Sequence, residues 1–165
     1  MVIFSIEDVL GAMHFYNAFL GMKNKKVPFD NNNKCKLTLF RKLVEKEIKS
    51  DVAIFKTLSP ILIREHMREG DKNWYYLLNE KKGLEILKKN LLYILSSRFK
   101  KEDIEKIEII PIEIKKTVVS FYDMQFPASR GIFAIKANKE ILNYFYKVGF
   151  GSRISAGFGL LELVK

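Results

Sequence analysis

Four glycines near the C-terminus of this 165-residue chain restrict its fold more than any other feature. Residues 149–159 read G-F-G-S-R-I-S-A-G-F-G. Glycine adopts positive φ without strain, and another backbone can approach it closely because it has no Cβ. The segment is therefore predicted to be a tightly turned loop, rich in free backbone N–H groups. Together with Ser152, Arg153 and Ser155, such a loop is chemically suited to binding phosphate.

The elements on either side of the loop argue against two nucleotide-binding motifs. Apolar residues recur at helical spacing in Glu140–Val148, so a helix precedes the loop, and Gly149 is predicted to end that helix. Leu160–Val164 follows as a short apolar strand. A dinucleotide-binding glycine loop instead follows a strand and opens a helix, and a P-loop ends in Gly-Lys-Ser/Thr. The sequence matches neither pattern.

The charge of the chain favours a polyanionic partner. Lys and Arg outnumber Asp and Glu by 29 to 19, which gives a formal net charge of +10. Nucleic acid, an anionic membrane and an acidic protein are the candidates. The sequence has no apolar run long enough to span a bilayer, no signal-peptide pattern and a single cysteine, Cys35. We therefore expect a cytoplasmic protein with no membrane partner, no cofactor and no metal site.

The N-terminal residues predict the order β-α-β. The first strand is Val2–Ser5, the helix is Ile6–Leu20 with Ser5 as its cap, and a weak strand is Lys36–Leu43. This order is half of a ferredoxin-like unit. We therefore predict a partial ferredoxin-like domain over residues 1–50.

From Val52 onward the pattern predicts β-α-β-β-α-β, which is the complete ferredoxin-like arrangement, over residues 51–165. The fold class is thus predicted to be α+β, and the main segments are a strand at 52–58 continuing at 60–64, a helix at 77–99, and strands at 107–114, 118–122 and 132–137. Pro111 indicates an edge strand or a bulge. Glu65–Lys72 is predicted as a polar loop, and Met124–Gly131 as the end of a hairpin.

These residues resemble the Cas6-type CRISPR repeat endoribonucleases of the RAMP superfamily. The resemblance rests on the terminal G-x-G-x5-G-x-G motif before an apolar strand, on F-K-T-L-S-P-I-L-I-R at Phe55–Arg64, and on the helix ending K-V-G. It implies two ferredoxin-like domains in tandem. It also implies metal-independent cleavage of CRISPR repeat RNA, in which the 2′-hydroxyl attacks the phosphate and leaves a 2′,3′-cyclic phosphate. The helix that carries the family's catalytic histidine has no counterpart here, so no catalytic residue is transferred.

The candidate catalytic residues are His14 and His66, and for each the alternative is an ordinary packing or solvated histidine. Arg130 is predicted at the tip of a hairpin, and Lys115 and Lys116 at a strand edge. The predicted RNA contacts are Gly149, Gly151, Ser152, Arg153, Ser155, Gly157, Gly159, Arg130, Lys115 and Lys116. The expected partners are CRISPR repeat RNA and either a second copy of the chain or another chain that supplies the missing half. A non-catalytic RNA-binding module and a self-associating structural domain remain as alternatives.

Overall fold

A computed structural model describes residues 3–28, 33–67, 72–121 and 124–164. The described chain divides into two compact units, of which one is Ile6–Lys46 and the other is the remainder. Of the helices in these ranges, none is both long enough and apolar enough to cross a membrane. The domain boundary predicted between residues 50 and 51 stays a prediction.

The smaller unit contains one helix and a short hairpin. Helix α1 spans Val9–Met22 and begins after Asp8, whose carboxylate accepts a hydrogen bond from the Gly11 N–H at 2.5 Å. Strands β1 (Lys26–Pro28) and β2 (Lys34–Lys36) pair in antiparallel orientation. The order is therefore α-β-β, whereas the sequence predicted β-α-β.

Three N-terminal predictions are corrected by these elements. The cap of α1 is Asp8 and not Ser5, because only the residue directly before the helix can reach the N–H of its third position. Ile3–Ser5 forms no strand, and Val2 lies outside the described residues. Lys36–Leu43 is not a strand either, since β2 ends at Lys36 and the following charged segment pairs with no strand among the described residues.

The larger unit has the order β-β-β-α-α-β-β-α-β. Its elements are β3 (Val52–Thr57), β4 (Ile63–Met67), β5 (Lys72–Tyr76), α2 (Lys81–Leu95), α3 (Lys101–Glu105), β6 (Glu108–Phe121), β7 (Met124–Lys136), α4 (Lys139–Val148) and β8 (Leu161–Leu163). Four of the strands form one antiparallel sheet in the spatial order β6-β7-β3-β8. The predicted helix and strand on either side of the glycine loop are thereby confirmed as α4 and β8.

Helices α2 and α4 of the larger unit each bury an apolar side in a core that they share with the four-stranded sheet. The buried residues of α2 and α4 are Gly83, Ile86, Leu87, Leu91, Leu95, Ile141, Leu142 and Phe145. On the sheet, alternate residues Ala53, Phe55 and Thr57 of β3 are buried, whereas Val52 and Lys56 are exposed. Because side chains alternate across a strand, one face of the sheet belongs to the core and the other is open.

The hairpin of β4 and β5 corrects the prediction of a polar loop at Glu65–Lys72. Glu65 pairs with Trp74 and His66 with Asn73, while residues 68–71 lie outside the described residues. The prediction was wrong because the segment is rich in charged residues, although its side chains alternate between the two faces of the hairpin. On one face Ile63 and its partner Tyr76 are buried. The β4–β5 pair forms a sheet separate from the four-stranded one.

A long hairpin of β6 and β7 replaces the two strands predicted at 107–114 and 118–122. The pairs run from Glu108–Lys136 to Phe121–Met124, with one register shift between Pro111 and Glu113. The strand β6 also lies at the edge of the sheet. The edge position and the bulge predicted from Pro111 are thus both confirmed.

Arg130 does not lie at a hairpin tip, because it pairs with Lys115 within the β6–β7 ladder. The prediction was wrong because Pro127 and Gly131 were interpreted as turn residues. The Ser129 N–H donates to Ile61, so the N–H of residue 127, two positions earlier, would point to the same side, away from β6. Proline is tolerated where the ladder needs no donor. Gly131 has a φ of 144°, and a Cβ there would lie 1.8 Å from the Glu113 carbonyl oxygen, so this glycine permits close approach at the bulge.

Candidate nucleic-acid interface

All four glycines of the loop have positive φ: 101° at Gly149, 100° at Gly151, 90° at Gly157 and 73° at Gly159. Gly149 directly follows α4, as predicted, and donates its N–H to the Phe145 carbonyl oxygen at 2.9 Å. A Cβ on Gly159 would lie 2.0 Å from the Phe150 carbonyl oxygen. The motif is therefore required by the backbone conformation, and at Gly159 also by a close backbone approach.

Most N–H groups of the loop are used within the protein, which corrects the prediction of a loop rich in free donors. Phe150 donates to Gly159, and Gly159 donates to Pro60, both at 2.9 Å. Ser152 donates to Leu62 at 2.8 Å. Within the described residues, no acceptor lies on the N–H groups of Ile154 and Ser155, which begin a single 3₁₀ turn. The loop is thus held in place by its own hydrogen bonds, and the N–H groups of Ile154 and Ser155 remain as donors.

The polar side chains of the loop have different environments. Ser152 is half-buried, and its hydroxyl accepts a hydrogen bond from the Arg64 N–H at 3.3 Å. Ser155 is exposed. Arg153 has a φ of 57°, and its guanidinium carbon lies 5.4 Å from the centroid of the Phe121 ring. Its Nε atom is buried without a hydrogen-bond partner within the described residues. The guanidinium therefore lies over an aromatic face, and among the described residues its Nε donor has no hydrogen-bond acceptor.

A small aromatic cluster joins the glycine loop to the distal end of the β6–β7 hairpin. Leu62, Phe126, Ala128 and Phe158 are buried together. Phe158 of the loop meets Phe121 edge-on at 5.6 Å, and Tyr75 of β5 stacks on Phe126 at 4.4 Å. These contacts fix the loop relative to three strands.

A basic concavity lies on the face of the hairpin that carries Lys115 and Arg130. It has a volume of about 330 Å³, and its lining includes Lys56, Thr57, Glu113, Lys115, Arg130, Gly131 and Ile132. The Lys115 ammonium lies 2.9 Å from the Glu113 carboxylate, which lowers the pKa of Glu113 and raises that of Lys115. Three cations against one carboxylate leave a local excess of positive charge.

The structure separates two lysines that the sequence placed together. Lys115 shares a face with Arg130, whereas Lys116 pairs with the fully buried Ser129 and is directed to the opposite face. Lys56 was missed by sequence reasoning. The sequence V-A-I-F-K-T could have predicted it, because side chains alternate along a strand. Lys56 directly follows the buried Phe55 and therefore points to the open face.

The two candidate histidines lie in different units. His14 is exposed on α1, in the unit Ile6–Lys46, so it is not a packing histidine. His66 is exposed on β4, and its Nδ1 lies 3.2 Å from the Asn73 Oδ1. By strand alternation His66 shares a face with Tyr75, the residue that packs against the aromatic cluster. Among the described residues, no three His, Cys, Asp or Glu side chains gather as metal ligands.

Comparison with known proteins decides the family. The C-terminal region defined for the CRISPR-associated protein Cas6 matches residues 43–163. This chain belongs to the Cas6 family. A CRISPR-associated endoribonuclease-like protein Cas6 of Pyrococcus furiosus is 32% identical over 129 residues, covering 74% of this chain and 52% of that protein. An endoribonuclease-like protein Cas6nc of Pyrococcus horikoshii is 26% identical over 118 residues, with 68% and 48% covered. The chain spans about half the length of the curated relatives it matches.

Solved structures support the assignment to Cas6 at the level of the fold. The product of a Cas6-related gene from P. furiosus superposes with a TM-score of 0.82 at 26% identity, covering 98% of this chain and 66% of that one. A RAMP protein described as binding different RNA substrates gives a TM-score of 0.80 at 21% identity, covering 98% and 67%. The Cas6 match begins at residue 43 and therefore includes the glycine loop, the basic concavity and His66, but not His14.

Proposed function

We propose that this Cas6 chain binds CRISPR repeat RNA and takes part in processing it. The observation that carries the proposal is the shared face of the long hairpin, where Lys115, Arg130 and Lys56 surround one concavity and Arg153 is held over Phe121. Phe121 and Lys115 are six residues apart on β6, which corresponds to about 20 Å at ~3.3 Å per residue. Such a row of cations suits the spaced phosphates of an RNA strand.

The proposed fold of the larger unit is ferredoxin-like. In chain order, β3, β6, β7 and β8 are its first to fourth strands, and two helices connect the first to the second and the third to the fourth. The antiparallel sheet order β6-β7-β3-β8 supports this arrangement. In this proposal the β4–β5 hairpin is an insertion after the first strand.

The proposed reaction is attack of the 2′-hydroxyl on the adjacent phosphate, giving a 2′,3′-cyclic phosphate and a 5′-hydroxyl without a metal ion. This chemistry needs a base, an acid and a cation near the phosphate. His66 is the preferred acid–base candidate because Asn73 orients its ring and it belongs to the same unit as Arg153. His14 is the second candidate. The Pyrococcus relatives are described as endoribonuclease-like, which supports RNA cleavage as the class of reaction.

The binding test is a salt titration of RNA affinity. Fluorescence anisotropy with a labelled CRISPR repeat RNA is measured for the wild type and for Lys56→Gln, Arg130→Gln and Arg153→Gln. Each loss of one phosphate contact is expected to reduce the slope of log K against log salt by about 0.7. Lys116→Gln is the matched control, because Lys116 lies on the opposite face. No wild-type binding at moderate salt contradicts the whole proposal.

The cleavage test uses the same RNA in EDTA. The expected products end in a 2′,3′-cyclic phosphate and a 5′-hydroxyl, and His66→Ala is expected to stop their formation while RNA affinity persists. Activity that EDTA abolishes would contradict the metal-independent mechanism. Binding without cleavage by the wild type would favour the alternative, a non-catalytic RNA-binding module.

The partner prediction concerns helix α1. Its apolar side chains are largely exposed, for example Val9 at 72%, Leu10 at 67% and Met13 at 56%. We propose that a second copy, or a chain that supplies the rest of the first domain, covers this helix. Sedimentation of the isolated chain distinguishes the two, because self-association is expected only for the first.

A further inference from the structure

Trp74 is a large exposed aromatic side chain of the β4–β5 hairpin, on the face whose Ile63 and Tyr76 are buried in the main core but farther along the strands than that buried pair. It is the single tryptophan of the chain, and 59% of it is exposed. Its cross-strand partner is Glu65, and the diagonal neighbour Met67 is 40% exposed. Side chains alternate, so this face is opposite to the one on which Tyr75 packs against the aromatic cluster. Trp74 and Met67 thus form an apolar shelf outside both hydrophobic cores.

The carboxylate beside this shelf is compensated. The Tyr76 hydroxyl donates a hydrogen bond to the Glu65 Oε2 at 2.6 Å, and the Lys82 Nζ lies 3.5 Å from the same oxygen. The Lys82 Nζ is also 5.1 Å from the centroid of the Tyr76 ring. The Tyr76 hydrogen bond, followed by the charges of Lys82 and Lys89, lowers the pKa of Glu65. Glu65 is therefore an anion held in position by the Tyr76 hydroxyl, and Lys82 and Lys89 offset its charge.

The surroundings of the shelf favour RNA over a protein partner. Helix α2 carries four exposed lysines, of which Lys82 and Lys89 act on the charge of Glu65 in β4; the four are Lys81, Lys82, Lys88 and Lys89. Protein interfaces are depleted in lysine at their centres, because its strongly hydrated ammonium is costly to bury. A strand of RNA instead brings phosphates that pair with these ammonium groups and bases that stack on an indole.

We propose that Trp74 is a stacking platform for one unpaired base of a bound RNA, with the adjoining phosphate held by Lys82. The inference rests on the proposed function and deepens it, because it adds a single-strand contact outside the face formed by the glycine loop and the long hairpin. The recognised element is an unpaired nucleotide, since a base within a duplex presents no face to an indole.

The test uses the full chain and an unstructured single-stranded RNA, followed through both RNA anisotropy and Trp74 fluorescence. RNA is expected to quench the fluorescence, since Trp74 is its only tryptophan source. Trp74→Ala is expected to weaken binding by about 5- to 150-fold, the range that corresponds to loss of one base–aromatic stack. Trp74→Phe is expected to retain most of the affinity, because a phenyl ring still offers an aromatic face. Lys82→Gln is expected to reduce the salt slope by about 0.7.

Tyr93→Ala is the matched control, because Tyr93 is 86% exposed and lies on α2 eleven residues beyond Lys82, or about 16 Å along the helix. It is expected to bind RNA as the wild type does. Wild-type affinity in a folded Trp74→Ala variant, or RNA binding without quenching, would overturn the inference and leave the proposed function intact. Quenching without any weakening by Trp74→Ala would also overturn it. If the wild type binds no RNA by anisotropy, the proposed function itself fails.

Discussion

The backbone of Phe150 leaves no room for a side chain at Gly159. A Cβ there would lie 2.0 Å from the Phe150 carbonyl oxygen and 2.9 Å from the carbonyl carbon. The same two residues are joined by the hydrogen bond from the Phe150 N–H to the Gly159 carbonyl oxygen. Gly157 also has a positive φ, but nothing lies within 4 Å of its Cβ position. Alanine substitutions at Gly157 and Gly159 therefore separate the free-energy cost of the backbone conformation from the cost of the steric overlap.

We expect Gly157→Ala to lower the free energy of unfolding by about 1–2 kcal/mol, the cost of a left-handed conformation with a Cβ. Gly159→Ala carries the same cost, plus about 0.5–1.5 kcal/mol for the lost hydrogen bond. A further ~1–3 kcal/mol comes from overpacking, because Phe150 is buried against Phe133 and Phe145 and cannot move aside. The sum is about 2.5–6.5 kcal/mol, a large share of the ~5–15 kcal/mol that stabilises a typical domain.

Urea unfolding measures both losses, with Trp74 fluorescence reporting on the larger unit and far-UV circular dichroism on the whole chain. The expected order is wild type, then Gly157→Ala, then Gly159→Ala, with at least 1.5 kcal/mol or so between the variants. Equal losses would mean that only the positive φ matters. A larger loss for Gly157→Ala would refute the reasoning from close approach.

Two further predictions concern single hydrogen bonds. Ser129→Ala leaves the buried Leu78 N–H without its acceptor at 2.8 Å, so the free energy of unfolding is expected to fall by about 1–3 kcal/mol. The exposed Ser120→Ala serves as the control, with a change within about 0.5 kcal/mol in urea unfolding. Tyr76→Phe removes the main cause of the lowered pKa of Glu65, so its carboxyl resonance should titrate closer to the ordinary value of 4.5. Because the folded-state pKa is lowered, this group stabilises the wild type above pH 4.5 and loses that contribution as the pH falls through the folded-state pKa. An unchanged NMR titration curve in Tyr76→Phe would contradict the assignment of the cause.

The C-terminal elements could be predicted because their signals are local. Helix α4 has apolar residues at helical spacing and ends at Gly149, and an apolar strand follows the loop. The glycines mark where the backbone must turn, whatever the rest of the chain does. The sequence could not show that partners such as Pro60 and Leu62 take up the loop donors, because these residues lie about a hundred positions away.

The misplaced elements depend on pairing that local patterns do not encode. Arg130 was assigned to a turn because proline and glycine are common in turns. In the structure, Pro127 lies where the ladder needs no N–H donor, and Gly131 lies where the backbone of β6 approaches closely. Strict alternation from Ile109 would also place Lys115 on the packed side of β6, because a bulge is invisible to a period-2 pattern. The proposed RNA contacts therefore follow from the pairing register of β6 and β7 and not from the spacing of residues along the sequence.

The bulge between Pro111 and Glu113 has a consequence for length variation in this hairpin. Ile112 is the unpaired extra residue of β6 and is 56% exposed. A homologue that lacks this residue would restore a regular ladder and still present Lys115 beside Arg130. A deletion farther along β6 would instead exchange the two sides of the strand for every residue beyond it. A one-residue deletion is thus accommodated at the bulge, whereas a one-residue insertion or deletion past it inverts the charge pattern of the hairpin.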